Sequence, residues 1–307
     1  MSTSNTRVAI IGAGTIGLSF AALHLTKNPR SNVSIFDTRP DLEQYIESKL
    51  PEYLVDVDKA DCLSRLRIGQ DLAEAVKDAS IVQEQGPENA DFKRSIWPQI
   101  EQHAPIDALF WSSTSGIVAS EQSKDMQDKS RLVVVHPYNP PHIMPLLEVV
   151  PSSVTSQEVV DRTLEYWRGL GRVPVVIRKE CTGFVANRLA FALLREACSL
   201  VAQGVVSVED LDSVVQASMG PRWTVAGPFK SYHAGGGEGG LESFMQKIGG
   251  TVQECWDASD TDVKQGGIEV GRTWQDDVFR QTEKAYGVID TAERDRKTKA
   301  VLQAVLK

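Results

Sequence analysis

Hydrophobic and polar positions divide this chain into two textures. Through residue 178, short apolar runs bounded by Gly, Pro, Asn, Asp or Ser recur, at 7–11, 32–36, 78–83, 108–112, 132–135, 146–150 and 173–177. Short, nearly continuous apolar runs read as strands buried on both faces. Between them lie helical patterns, one after Thr15 with Leu18, Ala21, Ala22 and Leu25, another over 88–102, and a polar, irregularly helical stretch over 40–65. Alternating strands and helices predict an α/β fold with a parallel sheet. Beyond residue 178 no convincing strand follows. Residues 185–203 carry Leu189, Leu193, Ala197 and Leu200 at helical spacing and stop at Gly204; Ser207 then starts a helix over 208–216 with Glu209 and Asp210 in its first turn. The pattern predicts an α/β domain over 1–178 and an all-helical domain over 179–307, with a cleft between them for a substrate.

The first strand adds chemistry. It runs into Gly12-Ala13-Gly14-Thr15-Ile16-Gly17 and then a helix, the required context of a dinucleotide-binding turn. Gly12 permits the tight turn, Gly14 lets a pyrophosphate approach the backbone, and Gly17 lets the helix pack closely; the helix N-terminus receives the phosphates. The second strand ends in Asp37, twenty residues after Gly17. An acid there accepts from the ribose hydroxyls and repels a 2′-phosphate, which favours NAD over NADP, although Arg39 nearby could serve either as a phosphate partner or as a solvated surface charge. The glycines read alternatively as an ordinary strand-to-helix turn.

Composition narrows the class. With 307 residues, 41% hydrophobic and 24% charged, the chain can bury a substantial core. The net charge of −8 and the absence of a basic stripe disfavour nucleic acid and anionic membranes. No apolar run approaches the roughly 20 residues that span a bilayer. The first strand begins near Arg7, leaving no room for a secretory or transit leader, and Val-Leu-Lys at the end is not a peroxisomal address. The cytoplasm is the expected compartment. Cys62, Cys181, Cys198 and Cys255 are widely spaced and read as free thiols; the five histidines show no ligand-pair spacing, so no metal is expected.

A proline-rich segment carries the candidate base. Residues 133–150, VVVHPYNPPHIMPLLEVV, put His136 at the end of one apolar run and Glu148 inside another, with Pro137, Pro140, Pro141 and Pro145 between. Prolines force the backbone to turn, which can bring imidazole and carboxylate together as an oriented general base. Taken alone, the pattern fits a core histidine satisfied by a backbone carbonyl better than a functional pair. Glu88, Ser115 and His136 each follow a strand end, where ligands of parallel sheets bind. Asn187 heads the first long C-terminal helix and reads either as a cleft residue or as a helix cap.

Taken together, GAGTIG, the run from Gln83-Glu84 to Pro87-Glu88 with Lys93, SSTSG at 112–116, HPYNPP at 136–141, Glu148, GFVANR at 183–188 and GPRW at 220–223 resemble the 3-hydroxyacyl-CoA dehydrogenase superfamily. Within it, the SSTS and HPxNPP forms are most similar to the branch containing L-gulonate 3-dehydrogenase (lambda-crystallin) and L-carnitine dehydrogenase. The resemblance covers nearly the whole chain. It implies a Rossmann-type NAD-binding domain followed by a helical domain like the C-terminal domain of 6-phosphogluconate dehydrogenase. It further implies a homodimer, and reversible oxidation of a hydroxyl β to a carboxyl group. By it the catalytic residues are His136, Glu148, Ser115 and Asn187. The cofactor contacts are Gly12, Ala13, Gly14, Thr15, Ile16, Gly17, Asp37, Glu88, Lys93, Ser115 and Asn139.

The substrate is less sharply drawn. The segment 37–84 is short, and its candidate cations for a CoA are Lys49 and Lys59, which favours a small free hydroxy acid. Arg222 is either a carboxylate clamp or part of an interface ion pair. The glycine run 233–240 reads as a mobile loop like that of the carnitine branch. Trp223, Tyr232 and Trp256 could cage a quaternary ammonium or simply pack. Three functions remain open: a free 3-hydroxy acid dehydrogenase, a hydroxyacyl-CoA dehydrogenase or polyketide-type ketoreductase, and a non-catalytic NAD-binding structural protein. The complete set Ser115, His136, Glu148 and Asn187 argues against the last.

Overall fold

The computed structural model describes residues 5–55, 57–264 and 268–306, and the chain divides into two compact units, Met1–Arg188 and Leu189–Lys307. The first holds strands β1 (Arg7–Ile11), β2 (Asn32–Phe36), β3 (Leu66–Gly69), β4 (Ile81–Glu84), β5 (Leu109–Ser112), β6 (Leu132–Pro137), β7 (Leu146–Pro151) and β8 (Val173–Val176). Around them are helices α1 (Thr15–Lys27), α2 (Leu42–Tyr53), α3 (Lys59–Ser64), α4 (Leu72–Val76), α5 (Ala90–His103), α6 (Ala119–Gln122) and α7 (Gln157–Gly169). The strands form one sheet in the order β3-β2-β1-β4-β5-β6-β7-β8. From β3 to β6 all pairings are parallel; β7 pairs antiparallel to β6, and β8 parallel to β7. Chain order reverses at β1, which lies between β2 and β4, and such a switch point opens the ligand crevice of a doubly wound sheet.

Both faces of this sheet are covered, which is why its central strands β4, β5 and β6 are buried at every residue and lack alternation. On one face α1 packs against α7 through Phe20 and Trp167, whose rings are 5.6 Å apart. On the other, Trp97 of α5 lies 5.5 Å from Phe110. The sequence pattern did not single out β3, α4 or α7. β3 is an outer strand of half-buried alternation, too short to stand out. α7 was legible: Ser156 accepts from the Val159 amide as its N-cap, and Val159, Val160, Thr163, Leu164 and Trp167 bury one helical stripe.

Every described element of the second unit is helical: α8 (Ala186–Ala202, which begins in the first unit), α9 (Val208–Ala217), α10 (Met219–Val225), α11 (Pro228–Gly235), α12 (Gly240–Lys264), α13 (Trp274–Tyr286) and α14 (Thr291–Val305). The glycine run 233–240 is not the loop its composition suggests. It closes α11, forms one 3-10 turn over Gly237–Gly239 and opens α12. The glycines are there for close approach: a β-carbon on Gly236 would fall 1.7 Å from the Gly240 carbonyl oxygen, and one on Gly240 would fall 2.3 Å from the His233 ring. His233 Nδ1 accepts from the Leu241 amide and caps the new helix.

The core of the first unit contains a polar thread. His24 is fully buried on α1; its Nε2 meets Gln83 Oε1 at 2.9 Å and its Nδ1 meets the Tyr166 hydroxyl at 2.8 Å. The amide oxygen only accepts, so Nε2 carries the proton and Tyr166 donates to Nδ1. Burial pushes the His24 pKa down to about 4, against which the Gln83 hydrogen bond acts weakly. The folded pKa lies below the unfolded one, so the unfolded chain binds the extra proton between about pH 6.5 and 4, and stability falls as pH falls through that window. Between pH 7.5 and 5 this one group should remove about 2 kcal/mol. Urea unfolding of His24→Gln at the two pH values should show a loss smaller by about that amount; an identical loss would place the pH sensitivity elsewhere.

Candidate active site

Several of the candidate residues lie at or just past the C-terminal ends of the parallel strands. β1 ends at Ile11 and its turn begins with Gly12 at φ +110°, a conformation that favours glycine; a β-carbon there would lie 2.9 Å from the Gln85 carbonyl oxygen. Gly17 sits under the turn, where a β-carbon would fall 2.0 Å from the Gly12 oxygen. Gly14 faces open space at the head of α1, which leaves that N-terminus accessible to a phosphate. Asp37 closes the second turn: its Oδ2 accepts from the Ala13 amide at 2.8 Å and its Oδ1 from the Arg39 amide at 3.0 Å. The Arg39 guanidinium is held by Asp41 and lies over the Tyr45 ring. A cradle of amides with an acid beside it and its neighbouring arginine already engaged fits a dinucleotide without a 2′-phosphate.

β4 and β5 deliver a second cluster. Glu88, past the end of β4, takes four donors on one oxygen, Oε1: the Thr114 hydroxyl at 2.6 Å, the amides of Ser115 and Gly116 at 3.2 and 3.0 Å, and the Ser115 hydroxyl at 3.5 Å. Thr114, which the motif reading passed over, in turn accepts from the Ile117 amide and so ties the bend together. Asn187 Nδ2 donates to the Ser115 carbonyl at 3.3 Å, so Ser115 is clamped from both sides. Lys93, expected at the cofactor, is 1% exposed, and its ammonium goes to both oxygens of Glu84 at 3.0 and 2.8 Å. Glu84 also accepts from the Gly86 amide and the Ser112 hydroxyl, so this internal pair props the turn that carries Glu88. Asn139 is exposed just beyond β6.

At β6 and β7 the register decides the geometry. His136 stands directly opposite Glu148 in the antiparallel pair, and its Nδ1 lies 2.8 Å from Glu148 Oε2. Both are buried, at 6% and 2% exposure. The other carboxylate oxygen, Oε1, accepts from the amides of Val185 at 2.8 Å and Ala186 at 3.0 Å, where α8 starts. Burial alone would raise the Glu148 pKa. The hydrogen bonds from His136, Ala186 and Val185 outweigh it and hold the carboxyl below its ordinary range. A carboxylate accepts only, so the His136 proton sits on Nδ1 and Nε2 keeps its lone pair. Phe184 packs against His136: fully buried, with its ring centroid 5.3 Å from that of His136, it holds φ at +51°. For a bulky residue that conformation costs on the order of 1–3 kcal/mol. No sequence signal other than the preceding Gly183, at φ +73°, marks it.

The remaining candidates lie in the second unit. Arg222 is exposed on α10. Tyr232 packs on Phe244 with ring centroids 5.0 Å apart, while Trp223 and Trp256 are 39% and 58% exposed. Among the described residues, no group of three or more His, Cys, Asp or Glu is placed to hold a metal ion, and no helix is long and apolar enough to cross a membrane.

A doubly wound sheet with a glycine turn, an acid beside that turn and a buried histidine–carboxylate pair defines a dinucleotide-dependent oxidoreductase. Residues 7–181 match the family model of the 3-hydroxyacyl-CoA dehydrogenase NAD-binding domain, and residues 183–283 that of its C-terminal domain. The chain belongs to the 3-hydroxyacyl-CoA dehydrogenase family, and it is an NAD-dependent enzyme acting on CH–OH groups. It is 38% identical to a 3-hydroxyacyl-CoA dehydrogenase of Gibberella moniliformis over 78% of this chain and 76% of that one. It is 33% identical to an L-carnitine dehydrogenase of Nocardiopsis dassonvillei over 97% and 91% of the two. Among solved structures it is similar to 5-formyl-3-hydroxy-2-methylpyridine 4-carboxylic acid 5-dehydrogenase, an NAD+-dependent dismutase, with a TM-score of 0.78, 29% identity and 99% of each chain covered.

The glycine turn gives a direct test of the cofactor cradle. Gly17→Ala drives a methyl group against the Gly12 carbonyl, a strain of about 1–3 kcal/mol. NAD affinity measured by calorimetry should fall about tenfold or more. An unchanged affinity would remove the close helix-to-turn packing from the binding site.

Proposed function

We propose that this protein oxidises the 3-hydroxyl of a small free 3-hydroxy acid, carnitine-like or gulonate-like, to the 3-keto acid. The observation that carries the reading is the buried His136–Glu148 pair, 2.8 Å apart, with Nε2 of His136 left free to act as a base. Gly12 through Gly17, Asp37, Glu88, Ser115 and Asn139 would hold NAD. Bound NAD supplies the hydride acceptor for the hydrogen on C3. His136 Nε2 takes the hydroxyl proton as that bond breaks. Glu148 fixes the tautomer and balances the imidazolium, and it can do so because its own charge rests on three N–H donors. Ser115 and Asn187 orient the substrate oxygen and carboxyl group, which is where positional accuracy enters the rate.

Substrate size rests on two supports. The carnitine dehydrogenase of Nocardiopsis dassonvillei aligns over nearly the whole chain. Among the described residues the connection from β2 to β4 is filled by α2, α3, β3 and α4, with no long added arm to hold a CoA. A second reading, a 3-hydroxyacyl-CoA substrate, has the Gibberella relative in its favour. Absorbance of NADH separates them when the protein is given NAD with L-carnitine, L-gulonate, L-threonate, 3-hydroxybutyrate and 3-hydroxybutyryl-CoA; turnover of the thioester alone would overturn the free-acid reading. His136→Gln should lower turnover about a thousandfold while NAD still binds, and Glu148→Gln somewhat less. Near-normal turnover in His136→Gln would remove it as the base.

The same reading makes the protein a homodimer in the cytoplasm, a reducing compartment in which its four free thiols persist. In α9, α10, α11, α13 and α14 no residue is fully buried, and Trp223, Phe229, Tyr232 and Phe279 are exposed. Apolar area on that scale calls for a covering surface, and a second copy supplies one. Sedimentation equilibrium at micromolar concentration should give twice the 33.7 kDa chain mass; a monomer would contradict it.

A further inference from the structure

We infer that Phe184 is a positioning residue for the His136–Glu148 pair, acting through both its backbone and its ring. This rests on the base assignment made above. Gly183 and Phe184 are both left-handed, at φ +73° and +51°, and Phe184 is the one non-glycine residue with positive φ among the described residues. Glycine or asparagine visits that region at little cost; a phenylalanine does so only where its surroundings compensate.

Two features compensate, and both converge on the pair. The first is the direction of the chain. The left-handed step turns the backbone so that the next two amides, Val185 and Ala186, point at Glu148 Oε1, at 2.8 and 3.0 Å. The second is the ring. It is fully buried against His136, its centroid 5.3 Å away and its plane tilted by 50°. An apolar face over the imidazole keeps water from competing with Glu148 for the Nδ1 proton, and the low local dielectric strengthens that bond. A glycine at 184 would relieve the backbone and lose the cover; the sequence carries the strained residue that supplies both.

Selective 15N-histidine labelling reports the pair in the unmodified protein. The Nδ1 proton of His136 should appear far downfield and exchange slowly with water; exchange as fast as that of an exposed histidine would overturn the inference. Phe184→Leu keeps an apolar side chain without the flat ring. It should bind NAD as the parent does and lose turnover about ten- to a hundredfold with KM little changed, and its Nδ1 proton should exchange faster. A folded Phe184→Leu with parental turnover and parental exchange would overturn the inference. Should His136→Gln keep parental turnover, the base assignment fails by itself, and the proton exchange still decides whether Phe184 shields the pair.

Discussion

The site depends on one buried carboxylate. Glu148 sits in an antiparallel strand pair, 2% exposed, and could not remain charged there without compensation. Three N–H groups provide it, from His136, Val185 and Ala186. Two constraints supply them. The β6–β7 register sets His136 directly across the sheet, and the left-handed turn at Gly183 and Phe184 aims the two amides. Removing one member of a buried, hydrogen-bonded charge cluster is strongly destabilising because the remainder is left unpaired. The pair is therefore held by the structure whatever its chemistry.

The rest of the edge is organised in the same manner, by carboxylates that collect backbone donors. Asp37 joins the glycine turn to the second βα turn through the Ala13 amide. Glu88 gathers the bend from Thr114 to Gly116, and Glu84, neutralised by Lys93, anchors the Gly86 turn from below. Loops at the ends of parallel strands have few partners of their own. Here acidic side chains replace the missing ladder bonds, which gives a loop-built site the rigidity that hydride and proton transfer need.

The helical unit illustrates a different economy. Its long glycine run has the composition of a flexible linker, yet the chain uses it to bring α11 and α12 into contact at distances no side chain could tolerate. Composition cannot tell the two uses apart, because glycine is favoured both by freedom and by crowding. Its helices also leave large apolar side chains exposed, among them Trp223, Phe229 and Phe279.

The fold class, the family and the cofactor were all legible in the sequence alone. Buried strands separated by helices, the glycine spacing with Asp37 twenty residues on, and the ordered motifs from Glu88 to Asn187 are all local signals, read from neighbouring residues. The tertiary structure decided the rest, because it concerns pairs far apart in the chain. No spacing rule announced that His136 and Glu148 face each other, since a slip of one residue in register would have sent them to opposite faces of the sheet. Lys93 was expected at the cofactor and is instead an internal cation, because Glu84 lies nine residues earlier on the adjoining strand. Phe184 stood in the sequence only as one letter of the GFVANR run, and its left-handed backbone and its burial against His136 became visible only in the folded chain.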